Sequence, residues 1–260
     1  MSIDLWLVPE PDMTLQQLQA MSAGLLSEDE QKRFDSQRLP KGQFTFLHTR
    51  VALRKLLSHY WPAVEPGAWR FRRSHHGKPF VFAPPGVVPT AGSYNLTHAD
   101  GMLAIAVCDS GEVGVDIEPH TREVDALALA KRFFTDEEFQ LLNSSAADIR
   151  QSLFLEIWTL KEACVKACGM GLAHALRHFS FEPLAAEGLA MTLHRPIQPA
   201  PESGADHWQV WSGIHGAFRL GLACQMSAAD SSPQSLTVQG FDIVSGVHTA
   251  HWQQQRSARS

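Results

Sequence analysis

The sequence has no long apolar run. The longest uninterrupted one, Met102 to Cys108, falls far short of the roughly 20 residues that a membrane-spanning helix needs. No positively charged segment precedes an apolar stretch in the N-terminal MSIDLWLVPEPD, so no secretory leader is expected. Cysteine is scarce. Cys108, Cys164, Cys168 and Cys224 form no C-x-x-C pair, which argues against a zinc knuckle or a thioredoxin-like motif. Four such thiols fit a reducing cytoplasm. A G-x-S-x-G elbow and an H-E-x-x-H pair are both missing, so a serine hydrolase and a zinc protease lose their usual signatures. Charged residues make up 19% and hydrophobic residues 44% of the 260, ordinary values for a globular chain that buries its core without staples.

The charge is unevenly spread. The formal net charge is −5. Residues 31–80 nevertheless hold eleven Lys or Arg against two acids, Asp35 and Glu65. From residue 111 onward, seventeen acids face eleven basic residues. That balance does not fit a nucleic-acid binder. It suits a small polyanion, or an acidic protein that docks on the basic stretch.

Periodicity gives a mixed pattern. IDLWLV reads as a first strand ending at Pro9, and residues 14–24 as a short amphipathic helix. Ser27 and Glu30 form a capping box that opens a second helix through Arg38, with Pro40 and Gly42 as its interruption. A longer helix is expected over 44–58, where Arg50 and Arg54 share a face. Short strands follow at 69–73 and 80–82, around a turn at His76-Gly77-Lys78-Pro79. Then come Tyr94 to His98, Met102 to Cys108 and Val113 to Glu118, joined by tight Gly turns. Residues 121–168 read as helical, with a second capping box at Thr135 and Glu138 and a stop at Gly169. Residues 176–245 read as β-rich, and the last dozen as a loose polar tail.

Three constellations carry chemistry. In Val113-Gly114-Val115-Asp116-Ile117-Glu118 the strand period of two sends the three apolar residues inward. Gly114, Asp116 and Glu118 then share the other face. Two carboxylates so placed repel, and Mg²⁺ relieves such repulsion with one or two carboxylates plus phosphate oxygens; an edge strand with a wet acidic face is the plainer alternative. On the helix WTLKEACVK, Glu162 and Lys166 stand one turn apart, which by itself is only an ordinary ion pair. In Asn95-Leu96-Thr97-His98 a hydroxyl beside an imidazole could contact phosphate oxygens, as could Lys78 on its rigid turn.

The order GKP, NLTH, GVDIE, RFFTDEEF, WTLKEACVK and G-x-G resembles the 4′-phosphopantetheinyl transferases, specifically the larger Sfp-type enzymes, over about residues 30–185. GVDIE followed some forty residues later by WTxKEAxxK is the specific part. The resemblance implies an α+β fold of two similar lobes, an intramolecular pseudo-dimer with the active site in the cleft. We place the N-terminal lobe at 1–111, the C-terminal lobe at 112–246 and a polar tail at 247–260. It implies transfer of the phosphopantetheine arm of coenzyme A (CoA) to a serine of an apo carrier protein, acyl, peptidyl or aryl, releasing 3′,5′-adenosine bisphosphate. Mg²⁺ would be the cofactor. Carried over residue by residue, Asp116, Glu118 and Glu162 resemble the metal-associated acids, and Lys166 the lysine beside the reacting phosphate. Lys78, Thr97 and His98 resemble CoA phosphate contacts, with Thr97 standing where the family more often has Ser. Arg50 and Arg54 resemble its N-lobe cations. Glu162 is the first choice for the base, with Asp116 and Lys166 completing the catalytic set. The stretch from Arg132 to Phe139 and the loop after Gly169 resemble carrier-docking regions. The resulting expectation is a cytoplasmic monomer that binds no nucleic acid and no membrane and serves peptide, polyketide or fatty-acid synthesis. A Mg²⁺-dependent hydrolase of the CoA pyrophosphate and a non-catalytic CoA- or carrier-binding protein are the alternatives.

Overall fold

A computed structural model describes residues 2–73, 79–82, 93–169, 176–183, 189–194, 207–226, 235–250 and 252–259. The chain runs twice through one sequence of elements. The first pass is a strand, β1 (Ser2–Pro9), three helices, α1 (Leu15–Met21), α2 (Glu28–Asp35) and α3 (Pro40–Tyr60), a hairpin of β2 (Arg70–Arg73) and β3 (Pro79–Phe82), and two strands, β4 (Ser93–Ala99) and β5 (Met102–Cys108). The second pass is β6 (Glu112–Pro119), then α4 (Ala126–Phe133), α5 (Asp136–Ser144) and α6 (Ala147–Cys168). It continues with a hairpin of β7 (Phe179–Pro183) and β8 (Leu189–Leu193), and ends on β9 (His207–His215) and β10 (Phe218–Met226). In one sheet the order is β1-β5-β4 and in the other β6-β10-β9, antiparallel throughout. The α+β fold of two similar lobes is thus written in the element order.

The lobes stack as helix, sheet, sheet, helix. Along β1 and β5 alternate residues face opposite ways, as the pleat requires. Trp6, Val8, Leu103 and Ile105 pack under α3, against Val51, Leu53 and Leu56. Ile3, Leu5, Ala104 and Ala106 pack instead on Val113, Val115, Leu220 and Leu222 of the other sheet. Between the sheets lies a continuous apolar layer, and α6 covers the far face of β6 and β10.

The two passes do not keep to separate halves of the chain. β11 (Ser235–Asp242) and β12 (Gly246–His248) return to the first sheet, β11 lying parallel to β1. This corrects a second lobe that would close at 246. The expected polar tail is corrected too, because β13 (Gln253–Arg259) pairs with β9. Its Arg256 sits 3.3 Å from buried Glu156 of α6, which Ser212 and Arg219 also contact. Arg256 helps satisfy that buried carboxylate, and Ala258 of the same strand joins the core, so the segment gains by pairing although its other residues are polar.

Both capping boxes form, at Ser27/Glu30 and Thr135/Glu138. Pro40 does not break a helix. It occupies the first turn of α3, where its missing N–H costs nothing. Gly169 ends α6 in the left-handed region at φ 68°. No described helix is long and apolar enough to cross a membrane.

Candidate active site

The site lies where the free edges of the two sheets meet. Ser93 and Asn95 of β4 accept the Val113 and Val115 N–H groups of β6 through their side chains, at 2.8 and 3.1 Å. Thr97, next on the same face of β4, donates its hydroxyl to Asp116 Oδ1 at 3.3 Å. The alternation Ser93, Asn95, Thr97 therefore replaces a backbone ladder with a side-chain seam, a role for Asn95 that sequence reasoning missed.

On β6 the alternation holds as expected, but the acidic face is not wet. It lies under α6. A side chain at Gly114 would run into the carbonyl of Ala163, and one at Gly221 of β10 into that of Thr159. Two glycines thus let α6 lie directly on the strands and bring Glu162 and Lys166 over Asp116. Gly114→Ala should push α6 outward. We expect a loss of at least about 2 kcal/mol, on the scale of overpacking, with transfer falling more than the unfolded fraction explains. Urea melts and single-turnover assays would check both.

Lys166 does not pair with Glu162. Its ammonium bonds Asp116 Oδ1 at 2.6 Å, Thr97 Oγ1 at 3.0 Å and the Val115 carbonyl at 3.2 Å. Glu118 is held by Arg122, whose guanidinium also lies 5.5 Å from the centre of the Trp158 ring. Neither Arg122 nor Trp158 was in the expected set; an Arg four residues after an acid was the available signal. Among the described residues no group of three or more His, Cys, Asp or Glu is drawn together as for a metal ion. The cause is visible, since Lys166 and Arg122 take one oxygen each from two of the three acids.

Two buried carboxylate oxygens are left over. Asp116 Oδ2 and Glu162 Oε1 have no hydrogen-bond partner. Burial pushes the Asp116 carboxyl up, against the pull of Lys166. Burial also raises Glu118, and Asp116 adds to it. Glu162 is pushed up to about 7 by burial and then by the Asp116 charge. Orphaned hard oxygens in an acid-rich crevice suit a hard divalent cation, so the residues fit Mg²⁺.

The Glu162 shift has a stability consequence. Between the ordinary 4.5 and about 7, native Glu162 holds a proton that the unfolded chain releases. Stability without metal therefore falls as pH rises through that window, by at most roughly 3 kcal/mol. In EDTA, Glu162→Gln should flatten that slope and melt above the parent at pH 8. An unchanged slope would remove the assignment.

A basic cleft leads to this junction. One cavity of about 710 Å³ is lined by Arg38, Lys41, Thr45, Arg50 and His98, and its neighbour of about 380 Å³ by Arg33, Arg50, Phe71, Arg72 and Lys166. Arg50 borders both, and the cations come from the basic stretch apart from Lys166. Arg54 does not take part, a correction to its expected place. It is fully buried, bonding Glu30 at 2.5 Å and the carbonyls of Pro66 and Trp69 at 2.9 Å. Burial works against the Glu30 carboxylate, yet the Ser27 N–H and the two guanidinium groups hold it below its ordinary range. Lys78 lies outside the described residues, as does the loop at 170–175. The stretch from Arg132 to Phe139 spans the junction of α4 and α5, with the Arg132 guanidinium 4.8 Å from the Phe133 ring centre.

Comparison with known proteins gives the family. Residues 112–222 match the model of the 4′-phosphopantetheinyl transferase superfamily. The chain is 33% identical over 213 residues to the 4′-phosphopantetheinyl transferase HetI of Nostoc sp., covering 80% of this chain and 81% of that protein. It is 32% identical over 130 residues to the 4′-phosphopantetheinyl transferase Sfp of Bacillus subtilis, covering 50% and 54%. The crystal structure of Thermotoga maritima holo-[acyl-carrier-protein] synthase is a partial likeness, at 22% identity and a TM-score of 0.35 over 45% of this chain and 63% of that one. With four-fifths of its length matched to HetI, and with a repeated α+β lobe whose edges meet at Asp116, the chain belongs to the 4′-phosphopantetheinyl transferase superfamily.

Proposed function

We propose that this protein transfers the 4′-phosphopantetheine arm of CoA to a serine hydroxyl of an apo carrier protein, with Mg²⁺ as cofactor. The observation that carries the reading is the junction of Thr97, Asp116, Glu162 and Lys166 at the end of a cation-lined cleft. CoA is a polyanion, and the cleft carries Arg33, Arg38, Lys41, Arg50 and Arg72 against the acids Glu10, Asp29, Glu30 and Asp100, with Lys41 paired to Asp100 at 2.7 Å and Arg50 to Glu30 at 3.5 Å.

The serine oxygen attacks the β-phosphorus of CoA. A new P–O bond forms as the bond to 3′,5′-adenosine bisphosphate breaks. The serine proton goes to Glu162, a carboxylate of the junction that carries a buried oxygen free to accept it. Lys166 turns from Asp116 toward the pyrophosphate and balances charge on the leaving oxygen. Asp116 and Glu162 would hold Mg²⁺, with Glu118 beside them, and the bound ion supplies neutralisation of the pyrophosphate charge. His98 would meet CoA phosphates from the larger cavity, and Thr97, on the opposite face of β4, would meet them at the junction with Asp116 and Lys166. Action as a monomer in the cytoplasm completes this reading.

Arg50→Ala should raise the KM for CoA about ten- to a hundredfold, the range of a lost charge-assisted contact, with kcat nearly kept. Arg54→Ala should instead lower the melting temperature. Steady-state kinetics beside thermal melts separate the two.

The deciding experiment is intact-mass spectrometry of apo carrier proteins from peptide, polyketide and fatty-acid systems, incubated with this protein, CoA and Mg²⁺. The expected result is a gain of one phosphopantetheine arm that disappears with EDTA. Cleaved CoA with unmodified carriers would mean a hydrolase, and intact CoA with unmodified carriers would overturn catalysis on this panel.

A further inference from the structure

Cys108 closes β5 in the first sheet, and Cys224 lies near the end of β10 in the second. Both are buried in the apolar layer between the sheets. Their sulfurs stand 3.7 Å apart, although 116 positions separate them in sequence. Transfer uses neither.

Their surroundings favour reaction. They sit beneath the turn Asp109-Ser110-Gly111, where the chain passes from the first lobe to the second. Gly111 packs so closely on β10, at φ 91°, that a side chain there would meet the Gln225 carbonyl at 2.5 Å and the Cys224 sulfur at 3.5 Å. The Cys108 sulfur touches the Ser110 carbonyl at 2.6 Å, and Asp109 is exposed. The hydrogen bond with Cys224 is the largest influence on Cys108 and lowers its proton affinity, while burial and the Asp109 and Glu112 charges act against it.

We infer that Cys108 and Cys224 form an oxidation site at which a peroxide converts two thiols into a disulfide that staples the two sheets together. The Cys108 thiolate attacks a peroxide oxygen, the O–O bond breaks, and a sulfenic acid and hydroxide result, the hydroxide taking up the proton that the thiol gave off to become water. The Cys224 sulfur then attacks the sulfenic sulfur. An S–S bond forms, the S–O bond breaks, and the hydroxyl leaves as water with the Cys224 proton. Two electrons pass from the thiols to the peroxide. A modest side-chain rotation closes the gap to the roughly 2 Å of a disulfide.

The test uses the full chain treated with hydrogen peroxide and analysed without reductant. The mass should fall by two hydrogens, and peptide mapping should join the Cys108 and Cys224 peptides. The melting temperature should rise by roughly 5–10 °C, as expected for a loop of about 100 residues closed in a chain of this size, and return with dithiothreitol. Cys108→Ala and Cys224→Ala should each abolish the link, and Cys164→Ala/Cys168→Ala should keep it. A bridge between other cysteines, or oxygen added at Cys168 with Cys108 and Cys224 still reduced, would overturn the proposal. The parent protein gives this answer directly, so a variant that folds poorly does not obscure it.

Discussion

Asp116→Asn is expected to yield a folded protein that modifies carrier proteins at least about 10³-fold more slowly, a loss of roughly 4 kcal/mol of transition-state stabilisation. The carboxylate is where the site converges. Its Oδ1 holds Lys166 and Thr97, and its Oδ2 has no partner within the protein. Asn keeps the shape and removes the charge. Burial already disfavours that charge, so the fold should tolerate the exchange. Single-turnover transfer with saturating Mg²⁺, beside circular dichroism, measures both halves of the prediction. Wild-type turnover would sink the metal assignment. Glu118→Gln should cost less, because Arg122 already occupies that carboxylate.

The largest stability effect should come from a residue outside the reaction. Lys161 is fully buried on α6. Its ammonium bonds Glu138 at 2.7 Å and the carbonyls of Leu176 and Phe179 at 2.8 and 2.5 Å, and lies 5.1 Å from the Phe134 ring centre. Burial pushes its proton affinity down, and Glu138 works the other way. Glu138 in turn accepts the N–H groups of Thr135 and Phe181. One ion pair thus joins α5, α6 and β7. Lys161→Met strands the carboxylate in the core and should cost about 3–5 kcal/mol, a fall in melting temperature of roughly 10 °C for a chain of this size. Adding Glu138→Gln should recover a good part of that loss, because the stranded charge goes too. A single variant as stable as its parent would show that the pair contributes little.

Local rules carried far along this chain. The two capping boxes fixed the starts of α2 and α5, because satisfying end N–H groups needs only residues three apart. The alternation in VGVDIE put Asp116 and Glu118 on one face, because the strand period is two whatever the surroundings. Motif order and spacing carried the family and the acids. The proline at 40 was legible only in part: it cannot continue a helix, but it can begin one, and only the packed chain shows which.

What needed the tertiary structure is whatever depends on the second neighbour of an element. Arg50 and Arg54 lie one turn apart on one helix face and both reach Glu30 of α2, yet Arg50 borders the cleft while Arg54 is sealed by the chain after α3, bonding the Pro66 and Trp69 carbonyls. Lys161 and Glu162 are adjacent in sequence and part company because α6 is buried on both sides, against β6 and β10 on one and α5 and β7 on the other. Residues 253–259 read as polar tail because what β13 meets belongs to other elements: it pairs with β9, and Glu156 of α6 receives Arg256. Sequence alone determined the local elements, the acidic face and the family. Which cation meets which carboxylate was decided by the fold, since charge pairing depends on distance through space and desolvation, and neither is a function of separation along the chain.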